Sequence, residues 1–385
     1  MGEPPRLRGC LEGYAVIALS DVSDKLLSLD EAKNILAPLE AMGESEFAMG
    51  EGSVEFTFPD KWNADLATLD GTDTTEATIA IGGSKFQLTK DAALAASSLV
   101  GLSRRYVSVT PGHLIEPHLN YWYGQQGGYQ NWSKNLKLIH RDESVGVAFC
   151  RSAMNTYSMQ RVLAEAMDSI YDRYGKGTTV YVDRKMEAGI RSTAIRLIVP
   201  ESERSVPSRF AEEEGNDPWS VGLALQTSLT GEVPLGVSGY LFRYVCVNGA
   251  TTQHSHGVKH RRSRGEQAEN VYDWLGNEID AILASMEDEM AHVEALTTMK
   301  LAGEVSQILA NLFEQFNVPI PSREKITNEL VESDDLSAYG VMQAVTEAAN
   351  DVELSPTEVA RLMGIGGALP HVLSARCPSC KRFSL

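Results

Sequence analysis

The apolar pattern of this 385-residue chain changes period near Gly265, and that change limits the folds open to it. Upstream, the runs Thr178 to Val182, Ser192 to Val199, Val221 to Thr227 and Tyr240 to Val247 alternate and are rich in β-branched residues. Alternation is the period of half-buried strands, and Thr230-Gly231 and Asn248-Gly249 supply turn chemistry between them. Runs so close in sequence predict antiparallel pairing. Downstream, Val271, Leu275, Ile279, Ile282, Met286, Met290 and Val293 recur three and four apart, the stripe of one helix face. About 30 residues of such helix span about 45 Å, more than a small domain needs internally. The expected fold class is α+β: a mostly antiparallel sheet with a crossing helix, followed by an acidic all-helical C-terminal region.

Other elements follow from local signals. The crossing helix is Ser158 to Tyr174, with Val162, Leu163, Ala166 and Ile170 on one side and Gly175 as its stop. Leu26 to Leu39 has helical spacing, Gly43 to Phe58 and Ala77 to Leu88 read as short strands, and Thr89 caps a helix over 92–99 that Gly101 ends. Val145 to Cys150 is a further strand. Helices are expected at Glu304 to Phe316, Ser322 to Val331, Ala338 to Asn350 and Pro356 to Met363. Pro111 to Trp132 is read only by composition: Tyr121, Trp122, Tyr123, Tyr129 and Trp132 stand among glycines and glutamines.

Charge divides the chain further. The net charge of −18 opposes nucleic-acid binding as a whole-chain property, because phosphate contacts are made by Lys and Arg. Counted in blocks it is −11 over 1–84 (5 basic, 16 acidic), +6 over 85–265 (22 and 16), −16 over 266–361 (4 and 20) and +3 beyond. This divides the chain into an acidic N-terminal α/β segment (1–84), a mildly basic α+β core (85–265), an acidic helical region (266–363) and a Gly-containing tail with a Cys-x-x-Cys pair (364–385).

Several functions are disfavoured. No apolar stretch approaches the roughly 20 residues of a membrane helix, so no membrane partner is expected. Five cysteines, an odd number in a long chain, argue for reduced thiols and a cytoplasmic setting in a bacterial or infected cell. Gly82-Gly83 and the glycines of 364–367 lack any phosphate-loop fingerprint around them. Glu165, Asp168 and Asp172 share one side of a helix, without the further acid and Lys that a two-metal nuclease needs. The chain shows no complete catalytic motif.

What remains is a set of binding candidates. Between Ala250 and Gly265 there are four permanent cations and no carboxylate. This whole segment, with Lys259, His260, Arg261, Arg262 and Arg264, is therefore expected to be an exposed loop that attracts a polyphosphate, the alternative being solvated surface charge. Arg191, Arg196 and Arg243 stand beside or within apolar strand runs, where an unpaired guanidinium is costly; each either faces a groove or forms an ion pair. Tyr121, Trp122, Tyr123 and Trp132 are base-stacking candidates, or else core rings. Cys377 and Cys380, with His371 upstream, resemble half of a zinc ribbon, so a tail zinc is a possible cofactor although four ligands are not at hand.

Three blocks carry a family resemblance. Phe86-Gln87-Leu88-Thr89 with Leu99 to Leu102 and Arg105-Tyr106, then Tyr240 to Gly249, then Tyr339 to Glu347 resemble the phage/plasmid-like family of domain-of-unknown-function proteins. The resemblance spans roughly 81–350 and implies a phage or plasmid setting, with no settled catalytic residues. A relation to phage single-strand annealing proteins is an analogy to their strand-rich core. The expectation is a non-catalytic single-stranded nucleic-acid binding or annealing protein acting on single-stranded DNA. A virion or accessory structural protein is the alternative, with a metal-dependent nuclease behind it. The long helix is expected to promote a homo-oligomer, because its apolar face outlasts what the preceding sheet can cover.

Overall fold

A computed structural model describes residues 26–48, 54–62, 72–124, 135–151, 156–184, 186–207, 216–244, 248–258, 268–300, 304–333, 335–349, 354 and 356–374. The α+β expectation holds, with two sheets in place of one.

The N-terminal strand β1 (Leu26–Ser28) leads straight into helix α1 (Leu29–Glu40). Ser28 accepts from the Glu31 amide, and the Glu31 carboxylate accepts from the Ser28 amide, so two orphan donors of the first turn are satisfied reciprocally. Next come β2 (Gly43–Ala48), β3 (Val54–Thr57), β4 (Thr74–Ile81) and β5 (Ser84–Thr89). Gly82 and Gly83 have φ of 56° and 91°, the left-handed pair that a tight hairpin requires, so this Gly-Gly is the β4–β5 turn. Helices α2 (Lys90–Leu99), α3 (Arg104–Val109) and α4 (Gly112–Gly124) precede strands β6 (Asn135–Arg141) and β7 (Val145–Arg151). Thr89 caps α2, accepting from the Ala92 amide.

These strands form a six-stranded sheet in the order β2-β6-β7-β5-β4-β3, antiparallel except where β5 runs parallel to β7. A parallel pair needs a long crossover, which α2, α3, α4 and β6 supply. Sheet face and helices share one core containing Phe56, Ile79, Leu88, Val107, Ile115, Leu119 and Leu138.

The second sheet begins after α5 (Met159–Tyr174), which Ser158 caps and which stops at Gly175 with φ of 102°. Its strands are β8 (Tyr181–Asp183), β9 (Glu187–Ala188), β10 (Thr193–Ile198), β11 (Arg204–Pro207), β12 (Asn216–Thr227), β13 (Leu235–Arg243) and β14 (Asn248–Val258). With β1 they run β1-β8-β10-β12-β13-β14, every pairing antiparallel. The helical region then comprises α6 (Ala268–Leu296), α7 (Val305–Gln315), α8 (Ile320–Ser333), α9 (Ala338–Ala348) and α10 (Pro356–Ser374). They share a single core with β1, α1, α5 and this sheet.

Four expectations are corrected. The compositional boundary after residue 84 falls inside β5, so the acidic N-terminal segment is no structural unit. The boundary after 363 falls inside α10, which carries on through the glycines with Ile365, Ala368 and Leu369 buried. Residues 250–258 are not loop but strand β14, paired with β13. Finally, the apolar face of α6 does not outlast its cover: the seven residues from Val271 to Val293 named above are each at most 7% exposed within one chain. Helices α5, α9 and α10 and strands β12 and β13 provide that cover.

Candidate nucleic-acid interface

The outer surface of α3 and α4 is where the described residues come nearest to a strand-binding platform. Both helices rest on the six-stranded sheet through Val107, Ile115, Leu119 and Tyr123, all buried. Strand β3 is the edge of that sheet, and α4 closes it with side chains. Asn120 accepts from the Phe56 amide at 2.7 Å and donates to the Phe56 carbonyl at 2.9 Å, while Glu116 accepts from the Phe58 amide at 2.9 Å. The edge groups that would otherwise await another strand are thus met by a helix. Gly112 makes this approach feasible, because a Cβ there would strike the carbonyls of Phe58 and Pro59. Trp62 donates from Nε1 to the Thr110 carbonyl and pins the two-residue link between the helices.

With the inner face so fixed, the outer face is determined. Tyr121 is 54% exposed and Tyr106 41%, with Val109 and Leu114 also open to solvent. Arg104, Arg105, His113 and His118 are exposed beside them. From Arg104 to Gly124 the one carboxylate is Glu116, already engaged by the Phe58 amide just beyond β3. Asp60, itself exposed, lies 3.1 Å from His113, so the basic side chains of this surface that meet no carboxylate among the described residues are Arg104, Arg105 and His118. Exposed phenol rings among them suit bases and phosphates together. Tyr121 meets Trp122 edge to face at 5.4 Å, which restrains the exposed ring.

The expected stacking residues separate accordingly. Tyr121 is on the surface, Trp122 is partly buried against the core, and Tyr123 is interior: 1% exposed, its hydroxyl donates to the Ala96 carbonyl at 2.9 Å. Stacking is corrected for Tyr123, since no face of its ring is open. Trp132 lies outside the described residues.

The strand arginines separate as well. Arg243 is 3% exposed and donates to Gln343 Oε1 at 2.6 Å. Arg196 donates to Asp183 Oδ2 at 3.4 Å, 5.9 Å from the centre of the Tyr240 ring, whose hydroxyl reaches the same oxygen at 3.3 Å. Both take the ion-pair or internal branch of the expectation, and a phosphate role is corrected for Arg243, which is interior. Arg191 stays at the surface, loosely paired with Glu232 at 3.6 Å.

Register shows what lies near Arg191. Thr193 pairs with Thr227, Gln226 with Gly236 and Leu235 with Val258. One end of the eight-stranded sheet therefore gathers the Arg191 turn, the Glu232 turn and the exit of β14, after which Lys259 is next in sequence. Lys259, His260, Arg261, Arg262 and Arg264, with Cys377 and Cys380, lie outside the described residues. Among the described residues no group of three His, Cys, Asp or Glu is placed to hold a metal, and no helix is long and apolar enough to cross a membrane.

No family model, curated protein or solved structure matches the chain. The family resemblance rests on the quoted sequence blocks alone. Arg104 was missed by sequence reading, and Arg105 and Tyr106 figured only in that resemblance. The available signal was Ser103, which caps α3 and so fixes the phase in which these three side chains point outward.

Proposed function

We propose that the chain is a non-catalytic single-stranded nucleic-acid binding protein whose α3–α4 surface stacks bases on Tyr106 and Tyr121 and holds phosphates with Arg104 and Arg105. The observation that carries this reading is the exposure of those four side chains on helices whose opposite faces are locked into the core. The basic segment from Lys259 to Arg264 supplies further phosphate contacts, as its composition suggests; the family resemblance adds a phage or plasmid setting, and annealing is proposed by analogy with strand-rich single-strand annealing proteins.

Fluorescence anisotropy of a labelled oligothymidylate with the full chain, over a salt series, tests it. Binding is expected at low salt. Tyr121→Ala weakens it by roughly 5- to 150-fold, the value of one stacked base. Replacing Arg104 and Arg105 together by Gln lowers the salt slope by about 1.4, at about 0.7 per lost contact. Replacing Lys259, Arg261, Arg262 and Arg264 by Gln lowers it by about twice as much. No binding at low salt, or variants indistinguishable from the parent, would replace this reading by a structural or partner-binding role.

A further inference from the structure

Between the two sheets lies a cavity of about 340 Å³, away from the α3–α4 surface. That volume is within the range of pockets that enclose small molecules, about 300 to 1,000 Å³. Its floor is apolar: Leu39 and Met42 at the end of α1, Val147 and Phe149 from β7, and Ile190 from the turn before β10. Both sheets contribute to the rim, with Arg141 and Asp91 from the six-stranded side and Glu187, Arg191 and Glu232 from the other.

The rim charges differ in how far the protein already satisfies them. Arg191 and Glu232 pair with each other, and Glu187 accepts from the Ser192 hydroxyl at 3.1 Å. Arg141 and Asp91 are half-buried, and among the described residues neither side chain has an ion-pair or hydrogen-bond partner. Partly desolvated charges are costly to leave unmatched. They do not match each other: Arg141 pairs across to Val145, and Val145 to Gln87, four residues before Asp91. One strand thus separates β6 from β5, about 10 Å between strand axes, a gap that admits a ligand head group. A further polar group lines the cavity. Thr230 is 6% exposed, and its Oγ1 is buried with no hydrogen-bond partner. Buried hydroxyls are ordinarily satisfied, so this one is available to a polar occupant.

We propose that this cavity binds a small amphipathic zwitterion, of the class of an α-amino acid with an apolar side chain. Arg141 takes the carboxylate, Asp91 takes the ammonium group, and the side chain rests on Met42, Phe149 and Ile190. One unpartnered cation, one unpartnered anion and an apolar floor together disfavour a ligand that carries a single charge.

Calorimetric titration of the full chain with L-phenylalanine, phenethylamine and 3-phenylpropionate tests the assignment, because the last two each lack one charge. L-Phenylalanine is expected to bind at one site and at least tenfold more tightly than either analogue. Arg141→Gln should lower its affinity at least tenfold and leave phenethylamine unchanged; Asp91→Asn should do the converse and spare 3-phenylpropionate. Ala95→Phe, which projects a ring into the cavity from α2, should abolish binding of all three, with an unchanged circular dichroism spectrum establishing that it folds. Absence of L-phenylalanine binding, equal affinity for the three probes, or indifference to Arg141→Gln and Ala95→Phe would overturn the proposal. Oligonucleotide affinity should be the same in all three variants, which separates this site from the α3–α4 surface.

Discussion

Arg243 illustrates how a side chain conspicuous in the sequence can be an internal strut. Its guanidinium reaches across from β13 to Gln343 on α9, joining the sheet to the helical region. Gln343→Leu removes an acceptor from a buried cation and should cost about 1 to 3 kcal/mol, read from urea unfolding. Cys150 gives a residue-level pH prediction. Burial pushes its thiol up from 9.0 to about 11. The folded state thus holds its proton above the pH at which the unfolded chain releases it, and stability falls as pH rises from 9.0 towards 11. Cys150→Ala should remove a drop on the order of 2 kcal/mol across that window. At neutral pH, peptide mapping after a brief alkylation should find Cys150 unmodified in the folded protein and modified in urea.

Helix α1 owes its start to the Ser28–Glu31 box, and Ser28→Ala should cost about 1 kcal/mol in thermal or urea unfolding. Elements with strong local signals were legible in the sequence: α2 and α5 begin at Thr89 and Ser158 and stop near the expected glycines. Where tertiary contacts decide, sequence reading failed. Helix α4 contains Pro117 and has a glycine at each end, Gly112 and Gly124, yet it forms because Asn120 binds the β3 backbone and Glu116 the Phe58 amide just beyond it. The histidines, threonines and glycines of strand β14 carry no strand signal of their own; pairing with β13 makes it a strand. Of the candidate site, Tyr121 was legible as a type of residue but not as an exposed one. Tyr121 and Tyr123 differ only in helical phase, and α4 had not been recognised. Gly222 marks a similar limit: a Cβ there would collide with the Leu197 carbonyl of the neighbouring strand. Gly222→Ala should therefore leave the chain largely insoluble or unfolded, as judged by expression and circular dichroism.

At the scale of the molecule, the long helix is an internal beam. Ile279 and Met286 are at most 1% exposed inside one chain, so among its described residues α6 has no apolar stripe to offer a second copy. Ile279→Glu should unfold the protein, with loss of the circular dichroism signal, instead of converting an oligomer into folded monomers. The short segment from β1 to β2 has a different consequence, which concerns time. β1 belongs to the eight-stranded sheet and β2 to the six-stranded one, so some twenty residues clasp both. Their partners are made late. Leu26 pairs with Asp183, so it must wait while 157 residues (183 − 26) follow it from the ribosome, about 8 to 30 s at ordinary rates of synthesis. Through that interval residues 26–40 are an unclaimed strand edge and one face of a helix, a portion of the nascent chain for which a chaperone would have use.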